Sequence, residues 1–349
     1  MAHNNRDDVI RVGIVGAGEN TRLRHIPGLR QQPQVEIVAV CNRTVASSRR
    51  VADAFGIPGV YSDWTALVSA DDIDAVVIGT WPYMHCPVTV AALGSGKHVM
   101  CEARMAMNLA EAQQMLAASQ ARPDLVAQIV PAPMTLHLDQ TVRRLLDEGV
   151  IGSLLFVDIQ GASGGFLDSE APMTWRQDVV FSGQNVMAMG IWYETVMRWV
   201  GEASRVVARG ETFVRRRQSV RTGVEEPVQI PDHLDILADL DCGAKARFVF
   251  SNVMGLAEAP EAGLYGDGGT LRVKGGQLFG ARKPQQQVSP IVIPDAERGG
   301  WQVESDFIRA IRGEAPIRLT RFEDGVRYMA FTHAVAESLR SGGAAMVPR

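Results

Sequence analysis

Val9-Ile10-Arg11-Val12-Gly13-Ile14-Val15-Gly16-Ala17-Gly18-Glu19-Asn20-Thr21 is the stretch that decides how this chain is read. The run from Val9 to Val15 is dense in Val and Ile, the signature of a strand buried on both faces. It breaks at Gly16-Ala17-Gly18, and a helical pattern follows over Thr21 to Gln31. Gly16 permits the tight turn, and Gly18 lets the backbone approach a pyrophosphate at the helix start. The third glycine of that fingerprint is replaced by Thr21, so the placement between strand and helix carries the reading. Glu19, Asn20 and Thr21 complete the expected cofactor loop.

Outward from this loop the alternation continues. Strands are expected at Val35–Cys41, Ile73–Gly79, His98–Cys101 and Leu125–Val130, with helices at Ala46–Phe55, Cys86–Gly94 and Leu109–Gln120 between them. That order predicts an α/β domain with a doubly wound parallel sheet over residues 1–130. Beyond residue 150, Leu154–Gly161, Arg205–Arg215, Leu234–Leu240 and Ala244–Val253 alternate apolar with polar residues. Period two predicts antiparallel strands with one open face. Helices are expected at Gln184–Val200, Val303–Arg312 and Glu323–Arg340, giving an α+β domain over 131–349, with the last helix a candidate to pack back on the first domain. At roughly 150 residues per domain, 349 residues also suggest about two.

Composition narrows the function. The formal net charge of −4 argues against a polyanion-binding protein, so no nucleic-acid partner is expected. No apolar run approaches the roughly 18 residues of a membrane span. The polar, acidic start Met1–Asp8 lacks the order of a secretion signal, and Cys41, Cys86, Cys101 and Cys242 are spaced singly. Reduced thiols, no metal site and a cytoplasmic location follow as expectations. Lysine occurs only at 97, 245, 274 and 283, against 31 arginines, which leaves few lysines for proton chemistry.

The end of the second strand reads Cys41-Asn42-Arg43-Thr44. A carboxylate there selects NAD through the adenosine ribose, whereas a nearby arginine accommodates the 2′-phosphate of NADP. Asn42 and Arg43 lean the expectation toward NADP, with NAD acceptable; Arg43 as a solvated charge is the competing reading.

Several motifs in order resemble the Gfo/Idh/MocA family (glucose–fructose oxidoreductase, inositol dehydrogenase and relatives). Ile73–Thr80 with Trp81-Pro82 and His85 is similar to the family's strand and T-P-N-x-x-H turn. Gly96–Glu102 resembles the approach to its E-K-P signature, Gly149–Gly152 its G-x-I-G crossing, and Tyr265–Leu271 a late hairpin. Trp175-Arg176-x-Asp178 and Ser182-Gly183 resemble the opening of its C-terminal helix motif. The resemblance implies a Rossmann domain, a large open and mainly antiparallel C-terminal sheet, and NAD(P). It also implies a small sugar-like substrate, a site between domains, and a homodimer or homotetramer packed through the sheet.

The three acid–base positions of the family depart together. The E-K-P lysine is Ala103, the aspartate is Ala188 and the histidine is Trp192. A hydride transfer at carbon needs a proton transfer at its oxygen. Candidates to replace the lost groups are Arg104, Tyr193 and His85, with Glu194 beside Tyr193. Gln184, Ala188 and Trp192 fall at helical spacing on one face; Trp192 either lies against a substrate ring or fills the vacated space. Trp175, Arg176 and Asp178 are further substrate-binding candidates, and Thr80, Trp81, His85, Glu102 and Arg104 further cofactor contacts. The leading expectation is an NAD(P)-dependent oxidoreductase with a rebuilt proton-transfer site. A non-redox or internally redox-cycling lyase or hydrolase on a ketosugar, and an inactive NAD(P)-binding regulator, stand as alternatives.

Overall fold

The computed structural model describes residues 9–258 and 260–349, so the polar start read against a secretion signal lies outside the described residues. The chain divides into two compact units, residues 1–131 with 302–326, and residues 132–301 with 327–349.

In the first unit six strands form one sheet: β1 (Ile10–Val15), β2 (Val35–Cys41), β3 (Gly59–Val60), β4 (Ala75–Ile78), β5 (His98–Cys101) and β6 (Ala127–Ile129). All pair in parallel in the order β3-β2-β1-β4-β5-β6, the doubly wound order of dinucleotide-binding sheets. Every residue of β4 is buried, as a strand covered by helices on both faces requires. The covering helices are α1 (Ile26–Arg30), α2 (Val45–Phe55), α3 (Trp64–Val68), α4 (His85–Gly94) and α5 (Leu109–Gln120). Thr44 starts α2 by accepting a hydrogen bond from the Ser47 amide, and left-handed Gly56 ends it.

The second unit contains α6 (Asp139–Asp147), β7 (Leu154–Ala162), α7 (Val179–Ser182), α8 (Met189–Val200) and β8 (Ala203–Glu211). A small ribbon, β9 (Arg216–Gln218) with β10 (Glu225–Pro227), precedes β11 (His233–Leu240) and β12 (Lys245–Ser251). β13 (Glu261–Gly266), β14 (Gly269–Lys274), β15 (Gln277–Arg282) and β16 (Ser289–Ile291) continue the sheet. After α9 (Val303–Ile311) and α10 (Phe322–Ser341) come the last residues to pair, β17 (Ala344–Met346). The nine-stranded order is β16-β15-β14-β13-β7-β12-β11-β8-β17; β7 and β12 pair in parallel and the other neighbours antiparallel. On one face Phe248, Phe250, Ile236 and Leu264 are buried, with Tyr193 of α8 and Phe331 of α10 packed over them. The other face is open. Val207, Leu237, Arg247 and Asp158 lie side by side there in one row, the last two joined as an ion pair.

Two expectations change. Residues 302–326, not the final helix as a whole, return to the first unit. α8 begins at Met189, and Gln184 lies in the turn before it. Ala188 and Trp192 still share a helical turn, with the Trp192 amide donating to Ala188 O at 3.0 Å, but Gln184 does not lie on that face.

Candidate functional site

β1 delivers the chain to Gly16, whose φ of +84° is the left-handed conformation that a glycine adopts without cost. A Cβ there would stand 2.7 Å from the backbone N of Thr80, so the loop lies hard against the chain leaving β4. Gly16 N–H donates to Cys41 O at 2.8 Å, and Ala17 N–H to Asn42 Oδ1 at 2.7 Å. Gly79 N–H closes the third side on Val15 O at 2.9 Å. The loop thus sits where β1 parts from β4, the point at which the strand order reverses.

Thr21 is 1% exposed, and it explains the incomplete fingerprint. Its hydroxyl donates back to Gly16 O at 3.3 Å, and its side chain fills the space that a Cβ on Gly79 would claim. The close helix–strand contact normally allowed by a third glycine is allowed here by Gly79. Thr21 is therefore a packing residue, and its side chain is not a cofactor contact. Thr80 is the opposite case: its Cγ2 and backbone N face Gly16, and its buried hydroxyl oxygen has no hydrogen-bond partner among the described residues. A buried hydroxyl left alone costs about 1–3 kcal/mol.

Asn42 is held on both ends, accepting from Ala17 N–H and donating to Ser47 Oγ at 3.2 Å. Arg43 is exposed, and its guanidinium carbon stands 5.9 Å from the Trp81 ring centroid. A cation at that distance over an indole is attracted by its face. Asn42, Arg43 and Trp81 thus gather beside the loop, while Glu19 lines an outer groove with Ala17, Arg22 and Ser47.

His85 is fully buried, with Nδ1 2.8 Å from Arg104 O and Nε2 3.0 Å from Thr80 O. Burial pushes its pKa down although those carbonyls oppose the change. Both ring nitrogens face backbone carbonyls; the neutral ring donates to one of them, so the fully buried His85 lies between the segment after β4 and the segment after β5. Arg104 is itself only 6% exposed.

Glu102 anchors a cluster not anticipated from the sequence. Its Oε1 accepts from Asn20 Nδ2 of the loop and lies 3.0 Å from His25 Nε2, while Oε2 accepts from Ala103 N–H at 3.1 Å. The other ring nitrogen of His25, Nδ1, lies 2.6 Å from Glu304 Oε1 of α9. Burial disfavours the imidazolium, but hydrogen bonds and charge from Glu102 and Glu304 prevail and raise His25 to about 9. The same contacts, with Asn20, hold Glu102 below its ordinary range against the effect of burial. A signal existed: His25 shares a face with Leu29, and Glu304 with Phe307 and Ile308, so both polar residues interrupt buried apolar stripes.

In the second unit the structure reassigns most candidates. Tyr193 is 0% exposed, stacked on Phe331 at 3.7 Å, and its oxygen accepts from Ala203 N–H at 2.8 Å. Burial raises its pKa further, so it is a core residue and no acid. Glu194 is buried as the acceptor of the Ala132 amide and the partner of Arg198. Trp192, 3% exposed, packs with Phe250 over Gly161 of β7 and takes the space-filling alternative. Arg176 and Asp178 make separate contacts. Arg176 stacks 4.3 Å over Trp175, while Asp178 caps α7 through Val180 N–H and pairs with Arg221 at 3.2 Å. A cap contributes about 1 kcal/mol and a half-exposed ion pair less, so the cap is the larger part of Asp178's role. Gln184 lines a separate groove of about 600 Å³ with Val179, Ile230 and Leu339.

Residues 10–129 match the model of an oxidoreductase family with an NAD-binding Rossmann fold, and residues 140–272 match the GFO/IDH/MocA C-terminal domain. The chain belongs to the Gfo/Idh/MocA family. Among its relatives is a dTDP-3,4-didehydro-2,6-dideoxy-alpha-D-glucose 3-reductase of Streptomyces antibioticus, 29% identical over 341 residues, 91% of this chain and 93% of that one. An oxidoreductase domain protein from Kribbella flavida superposes with a TM-score of 0.85 at 22% identity, covering 98% of this chain and 100% of the other. A levoglucosan dehydrogenase in complex with NADH and L-sorbose follows at 0.83 and 20% identity, covering 97% and 99%. These two structures share the Gfo/Idh/MocA fold seen here.

Proposed function

We propose that this Gfo/Idh/MocA protein is an NAD(P)-dependent oxidoreductase acting on a carbohydrate derivative, with NADP preferred. The observation that carries the reading is the glycine loop after β1, left-handed at Gly16 and set where the strand order reverses. Gly16, Gly18 and the turn after them would hold the phosphates, and Asn42 with Arg43 the adenosine ribose. Bound there, the nicotinamide supplies or accepts a hydride. Asn42 brings no negative charge to repel a 2′-phosphate, and the exposed Arg43 guanidinium stands over the Trp81 ring. The sugar-directed names of the reductase and the dehydrogenase above support the substrate class.

The acid–base side supports a second reading. Ala103 carries no proton, and Tyr193, His85 and Glu194 are engaged elsewhere. Dinucleotide binding without turnover, or a lyase or hydrolase that returns the cofactor to its starting state, fits these losses. Fluorescence titration with NADH and NADPH, followed by a sugar and aldehyde panel read by nicotinamide absorbance and by substrate loss, separates the readings. Net cofactor change establishes the oxidoreductase. Substrate loss without it favours the internal cycle, and binding alone favours the regulator. Failure to bind either dinucleotide overturns all three.

The open sheet face, with Leu237 57% exposed in a row of charges, supports a homodimer or homotetramer packed through it. Buried thiols at Cys41, Cys86 and Cys101 fit a reducing compartment, the cytoplasm. Among the described residues no helix is long and apolar enough to cross a membrane.

A further inference from the structure

We propose that His25, Glu102 and Glu304 form a charge latch that positions the glycine loop for dinucleotide binding, with Glu304 as a positioning residue. The inference rests on the dinucleotide reading of that loop.

The geometry begins in the helix after the loop. Its turn Thr21–His25 is π-helical, with Ile26 N–H reaching Thr21 O five residues back. Such widened turns recur at functional sites. Here the turn carries His25 to zero exposure, where each ring nitrogen meets a carboxylate. Two carboxylates without a proton donor between them repel one another, and a neutral imidazole donates to only one. The imidazolium satisfies both. Because Glu102 Oε1 also accepts from Asn20, and Oε2 from Ala103 N–H, the loop and the end of β5 are fastened through one carboxylate. Gly28 leaves room for the other arm, since a Cβ there would meet Glu304 Oε2 at 2.7 Å.

The groups facing His25 include Asn20 from the loop, Glu102 from the end of β5 and Glu304 from α9. As pH rises through about 9 the imidazolium is lost, and one carboxylate loses its donor. A salt bridge that merely stabilised the fold would alter melting and leave affinity unchanged.

The test titrates NADH and NADPH by fluorescence into the full-length wild type, Glu304→Gln and His25→Gln from about pH 7 to about pH 10, with melting curves of the dinucleotide-free proteins. In the wild type, Kd rises through pH 9. Glu304→Gln binds about tenfold more weakly at pH 7, the weight of roughly one charge-assisted hydrogen bond, and its inflexion moves to lower pH. A Kd for folded Glu304→Gln within about twofold of wild type at every pH would overturn the latch and leave the dinucleotide reading standing. If both variants fail to fold, the wild-type profile decides, and a flat Kd overturns the proposal. Absence of any binding by the wild type overturns the latch and the dinucleotide reading together.

Discussion

Asn42 stands where a carboxylate would select NAD, with its amide fixed by Ala17 and Ser47, so a substituted carboxylate would keep the same place. Asn42→Asp is expected to weaken NADPH relative to NADH by about tenfold, read by parallel titrations; an unchanged ratio would remove position 42 from cofactor selection. Tyr193 makes the contrary prediction. Tyr193→Phe strands the Ala203 amide, costing about 1–2 kcal/mol in a melting curve while leaving turnover at the wild-type level. A hundredfold fall in kcat would return Tyr193 to the chemistry. At this scale the sequence identified which residues titrate but not where they point. Tyr193 and Trp192 adjoin on one helix, and only Phe331, Phe250 and β7 around them determine that both are core.

Elements depend on matched pairs of residues far apart in the chain. Thr21 and Gly79 share one space, so Gly79→Ala is expected to destabilise the first unit by about 2–3 kcal/mol and to displace the loop. Chemical denaturation with parallel NADPH titration checks this, and a neutral result would show that the loop can yield. The buried charges set a pH dependence. His25, raised from 6.5 to about 9, contributes fully below 6.5, and its contribution is lost as pH climbs from there to about 9. His85 and His98 are pushed down mainly by burial, so their burial removes stability as pH falls below 6.5. The melting temperature is therefore expected to peak near 6.5, with the alkaline decline flattened in Glu304→Gln. An equal alkaline decline in that variant would mean that another group is responsible. Strand and helix order was legible because buried strands and helices have different periods. The π-helical turn at Thr21–His25 was not, because one widened turn barely alters a period of 3.6.

At the scale of the whole molecule, the nine-stranded sheet is covered by helices on one face only, and the other is laced with Arg247–Asp158 and Arg205–Asp239 pairs around Leu237 and Val207. Sedimentation is expected to give a dimer or tetramer that Leu237→Arg shifts toward monomer. A wild-type monomer at micromolar concentration would overturn assembly through this face. The shortage of lysine belongs to composition as a whole, four lysines against 31 arginines.

By itself the sequence determined the βαβ start, the parallel first domain and the antiparallel texture of the second. Each of these is carried by residue type and local period, which act over a few neighbours. Only the tertiary structure decided that β7 inserts between β13 and β12, that residues 302–326 return to the first unit, and that His25 meets Glu102 and Glu304. Those pairings join positions up to 279 residues apart. No local propensity encodes them; they arise because a buried charge requires a partner and a buried face requires a cover, wherever in the chain these are found.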